Sequence, residues 1–74
     1  MTYDIVRYNP DSTFHSVLVG NIPTLTAARI IASSRSFHNP LWNIALEDHS
    51  PTNTYPTSTP EVWRGGRMLF TSRK

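Results

Sequence analysis

Apolar residues recur at helical spacing in one stretch of this chain, and that fact sets the fold class. In LTAARIIASSRSF, residues 25–37, Leu25, Ala28, Ile31, Ala32 and Arg35 line one side with Ile30 beside them. Arg29, Ser33 and Ser36 lie toward the opposite side. Thr24 stands at the N-cap position, where its hydroxyl can accept a backbone N–H that the first turn leaves unpaired. Three serines and then His38-Asn39-Pro40 stop the helix, because the residue before a proline is driven out of the helical region. The apolar stripe is narrow. It predicts a helix packed by one face on a sheet that the rest of the chain must supply.

The flanking segments read as strands. YDIVRY, residues 3–8, is rich in side chains that favour a pleated surface, with Tyr3, Ile5 and Arg7 on one face and Asp4, Val6 and Tyr8 on the other. Asn9-Pro10-Asp11-Ser12 is a turn. TFHSVLV, residues 13–19, returns antiparallel, with Phe14 in the core, and ends at Gly20-Asn21. LWNIALE, residues 41–47, alternates: Trp42, Ile44 and Leu46 face the core, and Asn43, Ala45 and Glu47 face out. Residues 48–60, DHSPTNTYPTSTP, hold three prolines among serines and threonines. They are expected to be a long ordered loop or a disordered linker. Residues 61–70 supply a last strand or hairpin. The expectation is a single α+β domain over residues 1–74, ordered β-β-α-β-loop-β, with a small antiparallel sheet and one helix on one face.

Size bears on function. A chain of 74 residues without cysteine has neither disulfides nor thiolate zinc to support its core. Small domains of this kind often depend on a partner or on self-association. Thr2, Tyr3 and Asp4 follow Met1 where a secretory leader would need a basic start and an apolar run. Apolar runs are too short for a membrane span. The expected location is the cytoplasm, or the host cytoplasm for a phage-encoded chain.

The densest run is EVWRGGRMLF, residues 61–70. A Walker-type phosphate loop needs G-x-x-x-x-G-K-[ST] ahead of a helix, and neither condition holds. Gly65-Gly66 between strand-like arms signals a two-residue hairpin, whose central residues both need positive φ. A bulge in one longer strand is the alternative. In the hairpin register Arg64 and Arg67 face each other, and like charges so placed are mildly destabilising. Net charge is +2, and Arg64, Arg67, Arg73 and Lys74 fall in the last eleven residues with no acid after Glu61. Trp63, Arg64 and Arg67 are therefore candidate partner-binding residues, with an anionic partner in view. Tyr55, alone in the proline-rich segment, is a fourth, since tyrosine contributes large rigid contact area.

Other chemistries lack their residues. No serine sits in G-x-S-x-G, and no nucleophile, base and orienter can be named together, so no catalytic residue is assigned and the chain reads as a non-enzyme. Glu47 and Asp48 point to opposite faces of a strand and do not pair. His15, His38 and His49 are dispersed and lack the i, i+4 spacing of a helical metal site, so neither metal nor cofactor is expected. Stacking of a single nucleic-acid strand on Trp63, clamped by Arg64 and Arg67, is an alternative, although low charge and the absence of a nucleic-acid motif weigh against it.

YDIVRY, the later Gly20, and the capped helix TLTAARIIA together resemble a pattern in short phage and prophage proteins of unknown function, over about residues 3–46. The sequence departs from it in Ile22-Pro23 before the cap and in lacking acids early in the helix. The resemblance carries over no functional residue. It implies an accessory protein that binds or inhibits a host macromolecule, such as a defence component. The expected function is a small non-enzymatic protein-interaction module. The alternatives are a nucleic-acid-binding module with a basic and aromatic tip, and a homo-oligomeric structural component whose sheets pair edge to edge.

Overall fold

The helical stretch forms α1, Leu25–His38, and the strand-like segments form β1 (Tyr3–Tyr8), β2 (His15–Ile22), β3 (Asn43–Asp48), β4 (Glu61–Arg64) and β5 (Arg67–Phe70). A computed structural model describes residues 2–8, 15–49 and 61–71. The expected turn at 9–12, Phe14, and nearly all of the proline-rich segment, Tyr55 included, lie outside the described residues. All five strands join one antiparallel sheet in the order β2-β1-β3-β4-β5, and α1 covers one face. This is the α+β architecture that the single helical stretch predicts.

Thr24 is the N-cap, its hydroxyl accepting from Ala27 N at 3.1 Å. The buried side of α1 is a ridge of small residues, Ala28, Ala32 and Ser36. Their i, i+4 spacing brings the helix backbone close to the sheet. Beneath it lie Ile5, Ile44, Leu46 and Trp63, with Leu25, Ile31 and Trp42 packed at the margin. Strand register explains the shared face: Ile5 is opposite Leu46, and Ile44 is opposite Trp63.

Several boundaries and orientations differ from the sequence reading. The second strand runs to Ile22 rather than ending at Gly20-Asn21. Register shifts against β1 near Ile5 and a positive φ of 57° at Asn21 let it bend without ending. Trp42 precedes β3 and is half-buried, with the Arg7 guanidinium 4.3 Å over its ring. Asp48 belongs to β3 rather than to the loop. Ala45 and Glu47, expected to face solvent, are buried, as are Asp4 and Val6 on the same face. Alternation separates the two faces of a strand but does not say whether the second is dry.

A candidate interaction groove between the helix and the last hairpin

Gly65 and Gly66 adopt φ of 62° and 84°, the positive values a two-residue hairpin requires. The two-strand hairpin is therefore the structure, and the alternative of a bulge in one strand is excluded. A Cβ at Gly65 would meet nothing within 4 Å, whereas one at Gly66 would lie 3.2 Å from Phe37. Gly66 thus serves two needs, backbone conformation and close approach of a helix side chain.

Two helix serines fasten this turn. Ser33 Oγ donates to the Gly66 carbonyl at 3.0 Å, and Gly66 N donates to Ser36 Oγ at 3.0 Å. Ser36 Oγ in turn donates to the Ser33 carbonyl at 3.1 Å, and Ser36 is fully buried. The sequence reading used these serines only as helix-ending residues and put Ser33 and Ser36 on the outer side. The helix continues past them to His38, and their hydroxyls complete the hydrogen bonding of the turn.

A second fastening lies one helical turn back. Glu61 is fully buried at the start of β4, and Arg29 meets its carboxylate in a bidentate pair with Nη2 2.6 Å from Oε2. Trp63 Nε1 donates to Glu61 Oε1 at 3.2 Å. Hydrogen bonding to Glu61 holds the Arg29 guanidinium above its ordinary pKa, against the opposing effect of desolvation. Helical spacing puts Arg29 on the outer side of the helix, and its partner lies 32 residues away, which no local pattern reveals.

Between these fastenings runs an open groove of about 880 Å³, walled by α1 and the hairpin, with Ile30, Phe37, Trp63 and Arg67 among its lining residues. Ile30 is 66% exposed and Phe37 68% exposed, although both are large and apolar. Beside the groove, β5 is the sheet edge, and all four of its residues are exposed, including Met68, Leu69 and Phe70. Among the described residues no strand pairs with the outer side of β5, and exposed apolar side chains along such an edge are what proteins normally guard against.

Trp63 is only 8% exposed and forms the floor of the groove. Arg67 lines the groove, and Arg64 is exposed, with Nε donating to the Pro40 carbonyl at 3.4 Å. Arg64 and Arg67 are direct cross-strand partners. Phe37 and Ile30 were not nominated. The apolar side chains that the narrow helix stripe left out were the available signal.

A polar cluster occupies the opposite face of the sheet. Asp4 and Glu47 are cross-strand partners and both buried. Asn21 N donates to Asp4 Oδ1 at 3.0 Å, and His49 Nδ1 donates to Asp4 Oδ2 at 3.0 Å. Asp4 thereby holds both the bend in β2 and the chain leaving β3. Glu47 Oε2 is buried without a hydrogen-bond partner. Burial, reinforced by the Asp4 carboxylate, pushes Glu47 up to about 7, and burial together with Glu47 raises Tyr8. Among the described residues no group of three or more His, Cys, Asp or Glu is arranged to hold a metal ion, and no helix is long and apolar enough to cross a membrane.

Comparisons with family models, with curated proteins and with solved structures give no significant match.

Proposed function

We propose that this chain is a non-enzymatic protein-interaction module that receives an extended segment of a partner polypeptide along β5. The observation that carries the reading is the edge strand itself. All of β5 is exposed, it bears three consecutive apolar side chains, and it borders a groove lined by exposed Ile30 and Phe37. An added strand would pair its backbone with the edge and seat alternate side chains in the groove, the mode known as β-augmentation. Ser33, Ser36 and Arg29 support this reading, because they fix the hairpin against the helix before any partner arrives. Nucleic acid fits less well: Trp63, the stacking platform that alternative needs, is the buried floor.

Photo-crosslinking in the cells that encode the protein tests the reading. A photoreactive residue at Ile30 should give a polypeptide adduct that disappears in Met68→Pro, while one at Val17, exposed on the other edge strand, should not. Equal adducts from both positions, or an adduct indifferent to Met68→Pro, would refute it.

A further inference from the structure

We infer that the segment β5 receives is acidic, with carboxylates alternating with apolar side chains; this rests on the reading of β5 as a docking edge. The charge on this side of the molecule carries the inference. Arg64 and Arg67 face each other across the Gly65-Gly66 turn, and both are exposed. Among the described residues Arg29 pairs with Glu61 and His49 contacts Asp4, and neither arginine of the tip has a carboxylate within ion-pairing distance. Two like charges directly opposite each other across a hairpin repel. An anion bound between them removes that repulsion.

The protein's own acids cannot supply it from the described residues. Glu61 is buried under Arg29, Asp4 and Glu47 are buried on the far face of the sheet, and Asp48 stands opposite Tyr3 at the end of β3 away from the turn. In sequence, two more basic residues, Arg73 and Lys74, follow β5 closely. The edge therefore offers positive charge at its turn end and apolar side chains along its length. Its complement is a strand with acidic side chains on the face toward the arginines and apolar ones on the face toward the groove.

Strand geometry indicates where pairing would occur. In a two-residue hairpin the pair flanking the turn exchanges hydrogen bonds, and the next pair does not. Arg64 and Arg67 are the flanking pair and Trp63 and Met68 the next. The Met68 N–H and C=O therefore face the open edge. Met68 also shares the face of Trp63, which is the face on which the groove lies. A peptide bonded to Met68 places one set of side chains toward Ile30 and Phe37, and its carboxylates can reach Arg67.

The test uses the full 74-residue chain. A displayed library of random dodecapeptides is panned against it, and enriched sequences are measured as synthetic peptides by fluorescence anisotropy. Circular dichroism first confirms that each variant is folded. The inference expects enriched peptides with Asp or Glu alternating with apolar residues, and binding that weakens as salt rises. Arg67→Glu should weaken these peptides about tenfold or more. The same peptides with Lys in place of the acids should bind Arg67→Glu better than wild type. Met68→Pro should abolish both.

Enriched peptides without acids, lost in Met68→Pro but indifferent to Arg67→Glu, would overturn the acidic chemistry and leave the docking edge standing. Peptides indifferent to Met68→Pro would overturn both. So would three further outcomes: no enrichment at all, binding of a labelled oligo-dT in place of any peptide, or sedimentation showing β5 covered by a second copy. Should Met68→Pro fail to fold, Phe37→Ser replaces it, since Phe37 is exposed in the groove and contributes little to the core.

Discussion

Replacing Glu47 by Gln should make the protein more stable at neutral and alkaline pH while changing little in acid. Glu47 is buried on the face away from α1, beside Asp4, with Oε2 unpartnered, and its carboxyl is pushed from 4.5 up to about 7. The folded state thus holds a proton that the unfolded chain releases near the ordinary value. Below about pH 4.5 both states are protonated and the contribution is fully present. It falls as pH rises toward 7 and is gone above that. A displacement of this size corresponds to roughly 3 kcal/mol, a large share of the stability a domain this small can have. Gln keeps the shape and carries no charge, so the variant should gain on wild type by about that amount between pH 4 and pH 8. Urea unfolding followed by the fluorescence of Trp42 and Trp63, at half-unit steps of pH, measures the difference directly. Titrating groups remote from Glu47 are common to both proteins and cancel, and Tyr8, which burial and Glu47 raise from 10.0, titrates above this range. Parallel stability curves for wild type and Glu47→Gln over this range would refute the reasoning and show that the Glu47 carboxylate is solvated or paired when charged.

Ser36→Ala should cost about 1–3 kcal/mol, because Gly66 N–H loses its acceptor in a half-buried site; loss of exchange protection at Gly66 by NMR should accompany it. Arg29→Met removes the bidentate partner of the buried Glu61 carboxylate and should cost about 1.5–3 kcal/mol by denaturant unfolding. Adding Glu61→Leu should recover part of that, the shortfall arising from Trp63 Nε1–H without an acceptor. Gly66→Ala should destabilise by at least about 1–2 kcal/mol in thermal melts, from positive φ and contact with Phe37, whereas Gly65→Asn should be nearly silent. The double change of Arg64 and Arg67 to Gln should shift stability by less than about 0.5 kcal/mol while weakening acidic peptides in anisotropy.

Local pattern was enough for the elements. The helix at 25–38, its Thr24 cap, the alternation in the third strand and the Gly65-Gly66 turn are each encoded within a few residues, because helix periodicity, capping and positive φ are properties of neighbouring positions. The same pattern nominated Arg64 and Arg67, which flank a visible turn. Long-range structure decided what those elements mean. Ser33 and Ser36 look like weak helix formers until the hairpin, 30 and more residues on, presents Gly66 to them. Arg29 looks like a solvated surface charge until β4 brings Glu61 beneath it. Glu47 sits at an outward position of an alternating strand, yet pairing of β3 with β1 places it beside Asp4 on a buried face. Phe37 and Ile30 fall outside the buried stripe of the helix, and only the position of β5 turns them into the wall of a groove. A sequence fixes which way each side chain points along its own element. Whether it meets water, a carboxylate or another strand depends on elements brought together from far along the chain.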